Sequence, residues 1–84
     1  MMLDILYFAS FREILGQANE QLPADNFKTV DCVLNALAER GEAWKASLVE
    51  NQNLQIAVNH DVANRSTEIK AGDEIAFFPP VTGG

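Results

Sequence analysis

The sequence predicts a two-layer α+β domain in which one main helix covers one face of a mixed β-sheet. Three observations carry this prediction. Val30, Val33, Leu34, Leu37 and Ala38 fall at i, i+3, i+4, i+7 and i+8, the single apolar stripe of an amphipathic helix. Residues 2–8 and 74–78, near opposite ends of the chain, are its strongly apolar strand candidates. The length, 84 residues, suits one compact domain and not two. A helix apolar on one face has to cover one face of a sheet, and two such strands belong side by side at the sheet centre.

Each element has its own local reason. In Met2-Leu3-Asp4-Ile5-Leu6-Tyr7-Phe8, period-2 alternation puts Leu3, Ile5 and Tyr7 on one face and Met2, Asp4, Leu6 and Phe8 on the other. Asp4 assigns the second face to solvent, leaving Leu6 and Phe8 partly exposed beside it. Ser10 is expected to cap a short helical turn over residues 11–15, which Gly16 ends. Residues 18–22 form a weak second strand, and Pro23 suits a strand end or a sheet edge. Thr29 is the expected N-cap of the main helix, with Asp31 in its positive first turn. Gly41 is expected to close that helix after Arg40, a cation matched to its negative end.

The second half follows the same rules. Residues 42–49 form another short helical segment with Trp44 and Leu48 one turn apart. Leu54, Ile56 and Val58 alternate with Gln55, Ala57 and Asn59 as a half-buried strand. Asn59-His60-Asp61 turns the chain into a short return strand over residues 62–65. Ala71-Gly72-Asp73 turns it again before the last strand, Glu74-Ile75-Ala76-Phe77-Phe78. Strand, strand, long helix and then two or three strands, with the first and last strands adjacent, is the β-grasp or ubiquitin-like arrangement. The chain divides into a β-grasp domain over residues 1–78 and an extended tail over residues 79–84.

Composition narrows the function. Six Lys and Arg against twelve Asp and Glu give a formal charge of −6. No basic stripe exists to hold a nucleic acid, and the balance favours a basic protein partner or simple solubility. Cys32 is the single cysteine, so neither an internal disulfide nor a cysteine-based metal site can be assembled, and no metal is expected. The start lacks the basic residues of a signal peptide, and no apolar run approaches the ~20 residues that span a membrane. A cytoplasmic protein is expected.

The tail, Pro79-Pro80-Val81-Thr82-Gly83-Gly84, carries the chemistry. Two prolines cannot donate to a sheet ladder and bias the chain to polyproline II. At ~3.1 Å per residue, six residues in that form reach roughly 19 Å from the fold. Gly83 and Gly84 lack Cβ, so they can thread a narrow channel and leave the terminal carboxylate unhindered. A frayed terminus is the bland alternative. With a pKa of about 3.3–3.7 the carboxylate is an anion and a poor electrophile until it is converted to a mixed anhydride. The chain has no Gly-rich phosphate loop, so a partner has to bind the nucleotide.

The stretch from Ala71 to Gly84, ending Phe77-Phe78-Pro79-Pro80-Val81-Thr82-Gly83-Gly84, closely resembles the C-terminus of the molybdopterin synthase small subunit family. Leu6-Tyr7-Phe8-Ala9 and Phe11-Arg12-Glu13 resemble the start of the same family, and Thr29-Val30 and Ala57-Val58-Asn59 extend the likeness through the middle. The resemblance implies a sulfur carrier that works through Gly84. An E1-like adenylating enzyme activates its carboxyl with ATP and Mg²⁺, neither of them held by this chain. A sulfur donor then converts it to a thiocarboxylate. The loaded tail, with Gly83, Thr82, Val81 and Pro80 behind it, enters the large synthase subunit and supplies the dithiolene sulfur of molybdopterin. The small subunit contributes no recognised acid or base of its own.

By the same resemblance Phe78 belongs to a partner-facing patch. Alternation independently puts it with Ala76, opposite Ile75 and Phe77, with Phe8 and Leu6 flanking it. An exposed aromatic cluster of this kind marks an interface unless a loop covers it. Arg12 joins the patch as a partner contact, although a solvated charge reads equally well. His60 reads as a solvated turn residue and Cys32 as a surface thiol, while Trp44 and Leu48 read as a satellite cluster under the helix. Asp73-Glu74 reads as turn chemistry. Rival readings are a carrier for thiamine thiazole synthesis, a modifier joined through Gly84 to target lysines, and an interaction module with incidental glycines.

Overall fold

Alternation in the first strand sets the two faces on which everything else is built. β1 (Met2–Tyr7) buries Leu3, Ile5 and Tyr7 and turns Met2 and Asp4 to solvent. The computed structural model describes residues 2–80 and places β1 beside β5 (Glu74–Phe78), parallel, with Tyr7 opposite Phe77 and Asp4 opposite Glu74. β2 (Asn19–Pro23) pairs antiparallel with the outer side of β1. β3 (Gln55–Val58) pairs antiparallel with β5, and β4 (Asp61–Ala63) with β3. The five strands run in the order β2-β1-β5-β3-β4, a β-grasp sheet with the two apolar strands at its centre.

One face of the sheet meets the helices. α2 (Val30–Ala38) buries Val30, Val33, Leu34 and Leu37 against Leu3, Ile5, Ile75 and Phe77, all essentially inaccessible to solvent. Thr29 caps it, its Oγ1 accepting from the Cys32 backbone N–H at 3.4 Å. α3 (Glu42–Trp44) leads into a π-helical turn over Lys45–Val49 that sinks Leu48 into the same core, with Trp44 packed at its margin. The satellite cluster expected from Trp44 and Leu48 is therefore a continuation of the main core.

Several local expectations are corrected. Ser10 is the first residue of α1 (Ser10–Leu15) and not its cap; Ala9 takes the N-cap position with no side-chain bond. Gly16 ends α1 in the left-handed conformation as expected. α2 ends at Ala38, and Gly41, at φ 151°, instead precedes α3. Arg40 does not serve the end of α2. Its Nη1 and Nη2 donate to Glu20 Oε2 and Oε1, each at 2.7 Å, and its guanidinium lies 4.7 Å from the Trp44 ring centre. Tyr7 Oη donates to the same carboxylate at 2.7 Å, and the Tyr7 and Trp44 rings meet edge-on at 5.6 Å. A specific bidentate carboxylate outcompetes a diffuse helix dipole for a guanidinium.

The return strand is shorter than expected, ending at Ala63. Arg65 leaves the sheet and donates through Nη2 to the carbonyls of Leu48 and Asn51, both at 2.8 Å, tying down the end of the π turn. Turn chemistry at Asp73 is as read from the sequence. Its buried carboxylate accepts from Asn59 Nδ2 at 2.9 Å and from the Lys70 N–H at 2.8 Å, while Asn59 Oδ1 accepts from the Glu74 N–H at 3.0 Å. One pair of side chains thus fastens the β3–β4 turn to the start of β5.

Candidate functional site

Among the described residues the other face of the sheet carries no helix, and its residues are fixed by register. Tyr7 stands opposite Phe77, so the next residues, Phe8 and Phe78, come together on the exposed face. Their rings stack nearly parallel, 8° apart with centres at 4.6 Å. A stack of this kind contributes about 0.5–1.5 kcal/mol beyond the area it covers. The Phe8 N–H donates to the Phe77 carbonyl at 3.1 Å, which extends the β1–β5 ladder one residue past the end of β1. Phe8 remains 38% exposed, and among the described residues no loop covers the pair.

A second row lies beside the rings. Leu6 pairs with Ala76, Ala76 with Ala57 and Ala57 with Val62, so four apolar residues cross β1, β5, β3 and β4 on one face. Val62, 93% exposed, ends the row at the sheet edge. A depression of about 200 Å³ opens between the two rows, lined by Leu6, Phe8, Ala57, Ala76 and Phe78 with His60 and Glu74 at its rim. His60 is the solvated turn residue expected, its side chain 87% exposed, and its Nε2 stands 3.5 Å from Glu74 beside the face. Next to Glu74 in register is Asp4, whose Oδ1 accepts from Gln21 Nε2 at 2.9 Å. An apolar face with an acidic lower margin is suited to binding, and on the described part of this face no nucleophile is paired with a base.

The structure therefore brings Leu6, Phe8 and Phe78 together as expected. It does not bring Arg12 into the depression: Arg12 is exposed on α1 and absent from its lining. Pro79 and Pro80 follow β5 directly and are half-buried, so the sheet ladder ends at Phe78 as the prolines require. Val81, Thr82, Gly83 and Gly84 lie outside the described residues. Val62 was missed by sequence reasoning. Its signal lies in the hairpin register, because a turn at Asn59-His60 sets Val62 opposite Ala57 and hence on the Phe78 face.

Cys32 belongs to the helix layer, away from this face. It is exposed, and its thiol is held below the usual value by a hydrogen bond with Thr29 Oγ1, at 3.4 Å, and by backbone bonds from Lys28 and Thr29. Among the described residues no cluster of His, Cys, Asp and Glu could hold a metal ion. None of the described helices is long and apolar enough to cross a membrane.

Known proteins place this arrangement in a family. The sequence is 45% identical over 83 residues to the molybdopterin synthase sulfur carrier subunit of Haemophilus influenzae, and 39% identical to that of Escherichia coli. Each match covers 99% of this chain and 100% of the relative. It is also 32% identical to the small archaeal modifier protein 3 of Haloferax volcanii, over the whole of both chains. Among solved structures, the fold superposes on small archaeal modifier protein 1 of H. volcanii with a TM-score of 0.78, at 26% identity, covering 95% of this chain and 98% of that one. It also superposes on a chain of the complex between subunits 1 and 2 of the molybdopterin-converting factor of Helicobacter pylori, with a TM-score of 0.69 at 27% identity and full coverage of both. The family pattern itself runs from the middle of β1 to the last glycine, residues 5–84, and the chain belongs to the ThiS family.

Proposed function

We propose that this chain is the sulfur carrier subunit of a molybdopterin synthase, with Gly84 as the carrier group. The observation that carries the reading is the partly exposed Phe8–Phe78 stack, placed where β5 gives way to Pro79 and the tail. A partner that docks on this face receives the tail that begins beside it. The sulfur carrier subunits of H. influenzae and E. coli, matched over their full length, support the assignment. The H. pylori complex supports a second synthase subunit as the docking partner.

In this reading the Gly84 carboxylate attacks the α-phosphate of ATP in an E1-like enzyme, with Mg²⁺ balancing charge, and pyrophosphate leaves. The resulting mixed anhydride is an electrophile, which the carboxylate was not. Sulfur at the sulfide level (HS⁻ or its equivalent, released from the donor by a thiol reductant) attacks the carbonyl carbon, the acyl–phosphate bond breaks and AMP leaves, and the product is a C-terminal thiocarboxylate. Its sulfur is the atom passed to the molybdopterin precursor in the large subunit. Gly83, Thr82, Val81 and Pro80 form the stem that enters the partner, while Leu6, Phe8, Phe78 and Val62 hold the domain against it. The chain contributes reach, fit and a reactive end, and the partners contribute the acids and bases.

The test is intact mass after incubation with the activating enzyme, ATP and a sulfur source. One oxygen should be replaced by one sulfur, located on Gly84 by fragmentation, and a chain extended by one residue after Gly84 should remain unmodified. An unchanged mass for the natural chain under conditions that load a relative would refute the reading. Likeness to small archaeal modifier protein 3 favours one alternative, attachment through Gly84 to lysines. Lysine-linked adducts without any thiocarboxylate would establish that alternative.

A further inference from the structure

Ala9 has φ 53° and ψ −131°, where the Cβ of an L-residue crowds the backbone and which glycine enters easily. It stands at the second position of a tight turn closed by the Phe11 N–H donating to the Phe8 carbonyl at 3.1 Å. These angles at this position are those of a type II′ turn, where glycine is the usual residue. The surroundings hold Ala9 there. The Phe8 N–H is bound to β5, Phe11 is sunk in the core at 3% exposure, and the Ala9 carbonyl accepts the Arg12 N–H at 3.1 Å. The chain leaves the sheet with Phe8 on the exposed face and has to deliver Phe11 to the opposite one three residues later. The left-handed step at Ala9 accomplishes both.

Strained dihedrals persist only where their surroundings over-determine them, and they gather where geometry matters for function. This one adjoins one ring of the exposed aromatic stack. We propose that Ala9 is a positioning residue: its narrow left-handed well fixes the backbone of Phe8 and thereby holds the Phe8 ring against Phe78, ready for a partner. The inference rests on the docking role given to that face above. It also makes sense of an alanine where glycine would be at ease. Glycine populates φ > 0 and φ < 0 about equally, so it relieves the strain and widens the well at once. A turn that only connects β1 to α1 gains from the relief of strain, offset only in part by the entropy glycine adds to the unfolded chain. A turn that positions Phe8 becomes more stable and binds less well.

Three full-length chains separate the two cases: wild type, Ala9→Gly, and a synthetic chain with D-alanine at position 9, which favours φ > 0 while keeping a narrow well. The probe is the large subunit of a molybdopterin synthase, with affinity read by calorimetry. Ala9→Gly should raise the melting temperature, lower the NMR order parameter of the Phe8 amide and weaken the contacts between the Phe8 and Phe78 rings. Its Kd should rise roughly fivefold, the scale of immobilising one flexible side chain. The D-alanine chain should gain stability while keeping wild-type order and affinity. If Ala9→Gly leaves the ring contacts, Phe8 order and Kd unchanged, the positioning role is wrong and docking on this face still stands. If the wild-type chain itself does not bind the large subunit, the docking reading fails and takes this inference with it.

Discussion

Replacing Glu20 by glutamine should cost about 1.5 kcal/mol of stability, and the structure says why. Glu20 of β2 ties β1 to the turn between α2 and α3: Tyr7 of β1 and both terminal nitrogens of Arg40 donate to its carboxylate at 2.7 Å. Glutamine keeps the shape, but it removes the charge and turns one acceptor into a donor facing Arg40. Hydrogen bonds to charged groups contribute about 1.5–3 kcal/mol each, but the Arg40 side chain is 35% exposed, so water recovers part of that loss. For a chain of this length the net cost lowers Tm by roughly 6–12 °C. Trp44, the one tryptophan, lies against both Tyr7 and Arg40, so its emission in a urea titration follows the affected cluster directly. The pH dependence has a definite sign. Burial alone would raise the Glu20 carboxyl, but the hydrogen bonds from Arg40 and Tyr7 and the Arg40 charge outweigh it and hold the group below 4.5. The contribution is therefore complete above pH 4.5 and fades as pH falls through the depressed value. The gap between wild type and Glu20→Gln should narrow over that acid range. A gap under about 0.3 kcal/mol at neutral pH, or one that does not change with acid, would refute the account.

The remaining predictions follow from single contacts. Asp73→Ala strips the acceptors from the Asn59 amide and the Lys70 N–H at a buried site and should cost about 2 kcal/mol by chemical denaturation. His60 has φ 72° after Asn59 at 51°, so His60→Gly completes the glycine-preferring hairpin pair and should stabilise by about 0.5 kcal/mol in thermal melts. Val62→Ser, at a site 93% exposed, should leave Tm nearly unchanged yet weaken large-subunit binding at least about fivefold. Equal affinity would remove Val62 from the docking face.

Much of the fold was legible because its signals are local and periodic. The α2 stripe, the alternation in β1 and β5, and the Gly16 stop each state their structure within a few residues. The adjacency of β1 and β5 was readable only as an inference from their shared apolarity, and their parallel direction came from the structure. Sequence reading failed where a distant partner decides. Ser10 was a plausible cap, but the need to carry the chain from Phe8 on one face to Phe11 on the other put Ala9 in the N-cap position. Arg40 looked like a helix-end cation until Glu20, twenty residues earlier, was brought beside it. Val62 needed the hairpin register before its face was known.

Two adjacent phenylalanines show how the sheet separates its buried core face from its exposed one. Period-2 alternation sends Phe77 fully into the core, stacked on Tyr7 at 6.2 Å, and Phe78 outward onto Phe8. Neither ring can take the other's role without turning the strand over. A one-residue slip of β5 would bury Phe78, expose Phe77 and detach Asp73 from Asn59, so core, ladder and turn oppose it together. The rigidity that core packing gives Phe77 is thus passed through one peptide bond to Phe78. The exposed face consequently needs no covering layer to hold it in place, and its residues are free for the docking role proposed above because the opposite face has already secured the strand.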